Sequence, residues 1–392
     1  MLNRRILRFK TFHALYSYHK VRDANQLWAA ERMKIVFEPN WLALDPPNLK
    51  ALEAEYEQAR EIFYQIVRQD PDRPEAPQAP ASRRAAQAIQ TALHFYREQT
   101  QKDRLHIRQQ MTAEAEGLYQ TYLLIWQLLI ELAQDAYNEA QARRNRAYSP
   151  EPIYENEYKL YHNQWLAKLQ QDDHFQTLQQ SHRLQWDAQT IRTWYRRLEE
   201  QDWYQTYQAL PQASFADDYA ILDQIIREFI FRDEVVLVFF EERELQWEQN
   251  QSILRNMLLR TLKNTPTQDD PILLQPLAKS WEEDKDFFED LFDQTLAHQA
   301  ENTQRIAERL NNWELERIAL TDRIILQMAL TELLHFQSIP IKVSINEYVE
   351  MTKKYSPPKS KEFVNGLLDR LAQAFAEEGK IKKSGRGLLD NK

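Results

Sequence analysis

Glycine is almost absent from this chain, which has 5 glycines in 392 residues, and only Gly117 and Gly366 precede residue 379. Hairpin turns of the Asn-Gly kind need glycine. The two common nucleotide-binding loops, G-x-G-x-x-G and G-x-x-x-x-G-K-[ST], need it too, and neither occurs here. The abundant residues Leu, Ala, Gln, Glu and Arg all favour helices. The sequence therefore predicts an all-α fold without glycine-loop nucleotide chemistry.

The chain has no cysteine, which excludes disulfides, thiolate zinc sites and cysteine nucleophiles. The N-terminus is typical of a basic amphipathic helix and lacks the apolar core of a signal peptide. The most apolar stretch, residues 122–130, is too short to cross a bilayer. We therefore expect a cytoplasmic protein without membrane contact.

The net charge is −9, which is unusual for a nucleic-acid-binding domain. The charges are segregated, however. Residues 281–293 hold seven acids and one lysine, whereas residues 380–392 hold five basic residues and one acid. Any RNA surface must therefore be a local patch, and we interpret the acidic cluster as a solvated face.

The first helix is predicted from about Asn3 to His19, because apolar and aromatic residues recur at helical spacing on one face. These residues are Leu2, Ile6, Phe9, His13 and Tyr16. Arg4 and Arg8 fall on the opposite face, and Arg5 lies at its edge. Surface arginines are the simplest interpretation of this pattern.

The middle of the chain is predicted to be a series of helices, over 48–68, 82–109, 112–146 and parts of 153–262. Prolines recur every third residue from Pro71 to Pro80, which is typical of an extended, solvated linker. The run Val235–Phe240 is apolar and partly β-branched. A lone strand would have no pairing partner, so we interpret this run as a buried helix turn.

Two helices separated by a proline pair are predicted near the C-terminal end. Ser344 and Glu347 have the spacing of a capping box that starts a helix, and the pair Pro357–Pro358 ends it. Gly366 lies inside the second helix, where glycine costs roughly 1 kcal/mol relative to alanine. We therefore expect another backbone group to approach Gly366 closely.

Four stretches resemble a known family. Residues 343–347 (Val-Ser-Ile-Asn-Glu) and 363–369 (Phe-Val-Asn-Gly-Leu-Leu-Asp) resemble the C-terminal signature of the NusB family of bacterial transcription antitermination factors. Residues 4–16, which end in Ala-Leu-Tyr, resemble the first helix of that family, and residues 322–333 resemble its central helix. The stretches occur in the order that they have in the family.

The resemblance implies an all-α, NusB-like helical bundle of two antiparallel halves with a large inserted helical lobe. We expect a discontinuous RNA-binding domain formed by residues 1–20 and 277–378. Residues 21–276 would be the helical insertion, with its proline-rich linker near 71–80. Residues 379–392 would be a flexible basic tail.

The resemblance also implies that the first helix forms part of an RNA surface. The residues that match are Arg4, Arg5, Arg8 and Tyr16. Ile6 stands where the family often has a further arginine, so the basic patch is diluted. The alternative is that the arginines are simply solvated and that Tyr16 packs in the core.

A second RNA patch is predicted around the proline pair, where lysines alternate with aromatic residues. Its members are Lys353, Tyr355, Lys359, Lys361 and Phe363. Amines can meet phosphates, and rings can stack on splayed bases. Alternatively, Tyr355 and Phe363 only cover the helix junction. Asn365 could hydrogen-bond a base or cap neighbouring backbone.

By resemblance, the chain binds boxA-type single-stranded leader RNA of ribosomal RNA operons together with NusE, a small-subunit ribosomal protein. The complex would belong to the antitermination form of RNA polymerase. Glu316 and Asp322 would contact NusE, or they only complement a helix dipole. A rival hypothesis is a helical protein-interaction scaffold of the transcription or ribosome-assembly machinery that does not bind RNA, which the net negative charge favours.

We predict no catalytic residues, no cofactor and no metal site. Glu332 and His335 have the spacing of half a di-iron site, but no second such pair occurs, so a pair on a helix surface is the better interpretation. His174 and His182 lie among glutamines and charged residues without a third ligand. NusB-like domains also precede rRNA cytosine methyltransferase domains, but these need a glycine-rich loop and normally a cysteine.

Overall fold

The computed structural model describes residues 1–42, 47–69, 71, 74, 82–147, 155–244, 246–310 and 317–390. This part of the chain contains α-helices, short 3₁₀ and π turns, and no strand, which confirms the predicted all-α fold. The helices are α1 (Arg4–Met33), α2 (Leu49–Gln69), α3 (Arg83–Ala147), α4 (Gln164–Gln170), α5 (Asp173–His182), α6 (Ala188–Glu199), α7 (Asp202–Gln208), α8 (Phe215–Gln224), α9 (Glu234–Arg243), α10 (Trp247–Lys263), α11 (Trp281–Ala297), α12 (Gln299–Glu308), α13 (Leu320–His335), α14 (Ile341–Tyr355) and α15 (Ser360–Glu377).

Two helices are longer than predicted. Helix α1 continues past His19 to Met33, and the two helices predicted over 82–109 and 112–146 are one helix, α3. Neither junction contains a proline or glycine, so nothing interrupts the backbone hydrogen bonds. The last turns of α1 also bury Ala29, Ala30 and Met33 among side chains of α2 and α3, which stabilises the extension.

Other helix predictions are confirmed. The helix expected over 48–68 is α2, and the apolar run Val235–Phe240 lies within α9. The burial predicted for this run is only partly right, because Val236 and Phe240 are buried whereas Val235 and Val238 are exposed. Of the proline linker near 71–80, only Pro71 and Pro74 are among the described residues.

The chain divides into two compact units. We call Arg4–Ala113 with Glu282–Lys392 the terminal unit, and Met1–Asn3 with Glu114–Trp281 the middle unit. The division falls inside α3 and does not coincide with the boundaries predicted at residues 20 and 277, which stay a prediction.

The terminal unit is built around α13. This helix is buried on nearly all sides, with Ile325, Met328 and Leu330 fully enclosed, and it packs against α1, α12, α14 and α15. Apolar side chains lie on most sides of α13, and other helices must cover them. Helix α13 therefore brings the first helix of the chain next to the last two.

The middle unit has a core rich in large aromatic rings. Trp126 of α3 stacks on Trp165 of α4 with ring centroids 4.8 Å apart, and Trp247 stacks on Phe240 at 4.5 Å. The buried hydroxyl of Tyr122 forms a 2.7 Å hydrogen bond with the Thr261 hydroxyl. Such rings bury large areas, which explains the many Trp and Tyr residues of this region.

The predicted capping box at Ser344 is wrong. Helix α14 begins at Ile341, directly after Pro340, because proline fits the start of a helix and lacks an N–H that would go unpaired there. Ser344 therefore lies inside the helix, where it is buried. A capping box does occur in the middle unit, between Ser214 and Asp217 at the start of α8.

The expected close backbone approach at Gly366 is also wrong. A Cβ atom at this position of α15 would meet nothing within 4 Å. The glycine faces open space, and packing of described residues does not require it.

The segment after α15 makes contacts with the end of α13. The Lys383 ammonium donates to the carbonyl of Phe336 at 3.0 Å, and the Ser384 N–H donates to the carbonyl of Gln337 at 3.0 Å. Lysine beside the last carbonyls of a helix is favourable. The flexibility predicted for residues 379–392 stays a prediction.

Candidate nucleic-acid interface

Glu332 of α13 is the centre of a buried polar cluster in the terminal unit. Its carboxylate accepts two hydrogen bonds from the Arg8 guanidinium, at 2.7 and 2.8 Å. It also accepts one from the Ser344 hydroxyl at 2.7 Å and one from the Tyr348 hydroxyl at 3.0 Å. The carboxylate is 0% exposed, so these four donors replace its hydration. The interpretation of Glu332 and His335 as a surface pair is therefore wrong.

Arg8 is a buried structural residue. Only 3% of it is exposed, whereas the sequence pattern suggested a surface arginine. Burial opposes its charge, but the Glu332 carboxylate outweighs this effect and raises the pKa of Arg8 above its ordinary value. A phosphate has almost no access to this guanidinium, so Arg8 drops out of the RNA surface that we propose below.

Arg4 and Arg5 remain at the surface, each beside a carboxylate. The Arg4 Nε lies 3.3 Å from Asp284, and its guanidinium lies 5.0 Å from the centre of the Phe287 ring. The Arg5 Nε lies 3.3 Å from Glu347, and its Nη2 lies 3.8 Å from Glu350. Exposed pairs of this kind contribute little to stability, and a phosphate can compete for the cation.

Glu350 of α14 lies among three cations from different parts of the terminal unit. Its carboxylate accepts a hydrogen bond from Lys353. That bond, together with the charges of Lys353, Arg5 and Lys361, lowers the pKa of Glu350. Residues of α1, α14 and α15 thus share one electrostatic neighbourhood, and the structure brings Arg5, Lys353 and Lys361 together.

An aromatic pocket joins α1 to the end of α14. The Tyr355 ring stacks on Phe12 with centroids 4.9 Å apart and meets His13 edge-on at 5.0 Å. Tyr16 and Thr321 also line the cavity, whose volume is about 270 Å³. The structure therefore brings the predicted RNA residues Tyr16 and Tyr355 together at one opening.

Two lysines lie over the aromatic rings. The Lys354 ammonium is 5.3 Å from the centre of the Tyr355 ring, and the Lys20 ammonium is 5.5 Å from that of Tyr16. Burial and the charges of Lys10 and Lys354 lower the pKa of His13 to about 4. His13 is therefore neutral near pH 7 and can both donate and accept a hydrogen bond.

The other predicted RNA residues follow the proline pair. Lys359 and Lys361 are exposed near the start of α15, and Phe363 is half-buried. The Asn365 amide donates to Asp369 at 3.0 Å, so its amide group already has a partner on the same helix.

Of the two carboxylates predicted to bind the partner, only Asp322 is among the described residues. Glu316 lies outside the described residues. Asp322, in the first turn of α13, is only 4% exposed and accepts a 2.7 Å hydrogen bond from the Ser360 hydroxyl. This bond ties α13 to the start of α15.

The acidic cluster of α11 is only partly solvated. Glu282, Glu283, Asp286 and Asp290 are exposed. In contrast, Asp293 and Glu289 accept hydrogen bonds from Arg108 of α3 at 2.7 and 2.8 Å. The interpretation as a wholly solvated face is wrong, because the arginines that pair with these acids are distant in sequence.

Sequence reasoning missed three residues of this surface, Phe12, Lys354 and Glu350. The spacing of Phe12 and Tyr16, four positions apart on one helix, indicated that the two rings would be neighbours. No comparable signal marked Glu350, since its cations come from three helices. In the described part of the chain, no three His, Asp or Glu side chains are placed to hold a metal ion.

Residues 246–373 match the model of the NusB family. A relative from Salinibacter ruber (strain DSM 13855 / M31), "Transcription antitermination protein NusB", is 35% identical over 158 residues, which are 40% of this chain and 88% of the relative. This chain belongs to the NusB family. The family predicted from the four sequence stretches is therefore confirmed.

Two further relatives carry the same printed name. The one from Chloroherpeton thalassium (strain ATCC 35110 / GB-78) is 40% identical over 106 residues, or 27% of this chain and 50% of the relative. The one from Pseudothermotoga lettingae (strain ATCC BAA-301 / DSM 14385 / NBRC 107922 / TMO) is 47% identical over 77 residues, or 20% of this chain and 55% of the relative. This NusB-family chain thus spans about half the length of these two. No solved structure matches it.

None of the described helices is both long and apolar enough to span a membrane.

Proposed function

We propose that this chain is a transcription antitermination factor that binds boxA-type single-stranded leader RNA of ribosomal RNA operons together with NusE. The name printed for its relatives supports the general role. The RNA specificity and the partner follow from the family resemblance. The proposal places the protein in the cytoplasm and contains no catalytic step.

The observation that best supports this proposal is that α1, near the start of the chain, lies next to α14 and α15, near its end. Arg5 of α1 lies beside Glu350 of α14. The charges of Lys353 and Lys361 also lower the pKa of this carboxylate. Tyr16 of α1 and Tyr355 of α14 line one aromatic pocket. Cations near stacking rings are what single-stranded nucleic acid requires.

In this proposal the phosphates of the RNA replace carboxylates as partners of the cations. Arg4, Arg5, Lys353, Lys359 and Lys361 meet the backbone. Bases stack on Tyr16, Tyr355 and Phe363, while Asn365 hydrogen-bonds a base edge. Each phosphate contact releases a counterion, so affinity falls as salt rises.

NusE contact is assigned to the surface around the start of α13. Asp322 is only 4% exposed and accepts a hydrogen bond from Ser360, so it supports this surface rather than reaching the partner. Glu316 is the remaining candidate for direct contact. The RNA polymerase antitermination complex is the assembly in which both contacts would operate.

One observation favours the rival scaffold hypothesis. Arg4, Arg5 and Lys353 each have a carboxylate neighbour already, so the patch has less free positive charge than its cations suggest. RNA must displace these carboxylates, which lowers the gain from each phosphate contact.

A titration of fluorescently labelled boxA-type RNA, with and without NusE, separates the two hypotheses. We expect Arg5→Glu and Lys361→Glu each to weaken binding by about tenfold and to reduce the dependence on salt. Arg60→Glu is the matched control, because Arg60 is a surface arginine of α2 that pairs with Glu57 on its own helix.

Unchanged RNA affinity in both charge reversals would leave the scaffold hypothesis in place. The same loss in the Arg60 variant would mean that net charge, not this surface, attracts the RNA.

A further inference from the structure

The terminal unit contains a second, larger cavity, with a volume of about 620 Å³. This size is within the range of small-molecule sites. Four cations from three helices line it, and Asp23 is the single acid among its described lining residues. The cations are Lys20, Arg22, Arg68 and Arg323.

His19 reports the electrostatics of this cavity. The ring is only 6% exposed, and its Nδ1 atom lies 3.0 Å from Nη2 of Arg22. A guanidinium can only donate, so His19 accepts this hydrogen bond as a neutral ring. Burial and the charges of Arg22, Arg323 and Lys20 lower the pKa of His19 to about 3. The described lining carries four cations against the one carboxylate of Asp23, so its net charge is positive.

Arg323 has one donor that pairs with no described acceptor. Its Nε atom is buried and lacks a hydrogen-bond partner among the described residues. A buried donor without an acceptor is costly. Arg323 as a whole is half-buried and lines the cavity, and a guanidinium binds phosphate oxygens well.

The rest of the lining is suited to a larger molecule than a free anion. Pro71, Ala300 and Leu320 offer apolar surface, and Gln69 and Gln299 offer amide groups. A flat heterocycle could lie against the aliphatic side chains while the amides contact its edge. A simple anion would leave this surface unused.

We propose that this cavity binds a phosphate-bearing small molecule of nucleotide size, with its phosphates on Arg68, Arg323 and Lys20. Side-chain cations hold the phosphates at this site. It therefore does not require a glycine-rich phosphate-binding loop, which this sequence does not contain. The proposal goes beyond the RNA surface, since none of the residues that we assign to RNA lines this cavity. The nearest link is Lys20, whose ammonium lies over the Tyr16 ring.

Isothermal titration calorimetry of the full chain with ADP and with inorganic phosphate tests the proposal. We expect ADP to bind at least about tenfold more tightly than phosphate, because only ADP also uses the apolar and amide lining. Arg68→Gln and Arg323→Gln should each weaken ADP binding by about tenfold. Arg60→Gln, a surface arginine on the same helix as Arg68, should leave it unchanged.

Three results would overturn the proposal. They are an absence of ADP binding, equal affinity for ADP and phosphate, and the same loss in the Arg60 variant as in the Arg68 variant. If Arg323→Gln fails to fold, the exposed Arg68 still provides the test.

Competition separates this site from the RNA surface. We expect boxA-type RNA to bind without displacing ADP. Displacement would make the cavity part of the RNA path and would reject a separate site, whereas failure of RNA binding alone would leave the ADP result standing.

Discussion

At the residue scale, the stability of the terminal unit depends on a carboxylate that water does not reach. Glu332 accepts hydrogen bonds from Arg8, Ser344 and Tyr348. Removing one member of a buried ion pair leaves the other charge uncompensated, which costs far more than the loss of an exposed pair. Arg8 and Arg5 allow this difference to be measured on one helix.

We predict that Arg8→Ala lowers the free energy of unfolding by about 3–5 kcal/mol, because Glu332 is left buried without its cation. Arg5→Ala, which removes an exposed pair, should cost at most about 1 kcal/mol. Urea denaturation followed by circular dichroism measures both. Similar losses in the two variants would show that Glu332 is hydrated in solution.

His19 predicts a specific pH dependence. Its pKa is lowered to about 3 in the folded chain, against an ordinary value of about 6.5. The unfolded chain therefore takes up a proton first as the pH falls. The stabilisation from neutral His19 is complete above about pH 6.5 and is lost progressively as the pH falls towards 3.

We expect His19→Gln to lose less stability than the natural chain between pH 7 and pH 4, since glutamine does not titrate. Thermal unfolding midpoints across this pH range provide the measurement. A ring proton of His19 that titrates near pH 6.5 by NMR would contradict the proposed environment.

At the element scale, some helix ends are set by prolines, which are visible in the sequence. Others are set by packing against distant helices, which is not. The proline pair ended α14 where the pattern indicated, at Tyr355. Helix α1 continued to Met33 because its last turns bury apolar side chains against α2 and α3. That burial involves helices distant in sequence, so helical periodicity alone could not predict the end of α1.

Gly366 gives a prediction for α15. Because a Cβ atom at this position meets nothing within 4 Å, Gly366→Ala should raise the free energy of unfolding by about 0.5–1 kcal/mol through helix propensity. Gly387→Ala is the opposite case, since its Cβ would clash with the carbonyl of Gln337. Chemical denaturation compares the two, and destabilisation by Gly366→Ala would mean that the glycine has a packing role after all.

At the scale of the whole molecule, the family signature covers a minority of the chain and still identified the fold. It did not predict which charged residues pair with each other. Arg4 meets Asp284, and Arg8 meets Glu332, across 280 and 324 positions. A helical wheel shows only neighbours on the same helix. The sequence therefore predicted which residue types gather at the RNA surface, but it could not show that Arg8 is buried or that Glu350 lies among the cations.

We propose that α1 and the two last helices, α14 and α15, form one RNA surface. Ultraviolet cross-linking of boxA-type RNA to the full chain, with the attached residues mapped by mass spectrometry, tests it most directly. We expect cross-links at Tyr16 and at Tyr355 in the same complex. Cross-links confined to α1, confined to α14 and α15, or confined to residues 114–281 would contradict the claim.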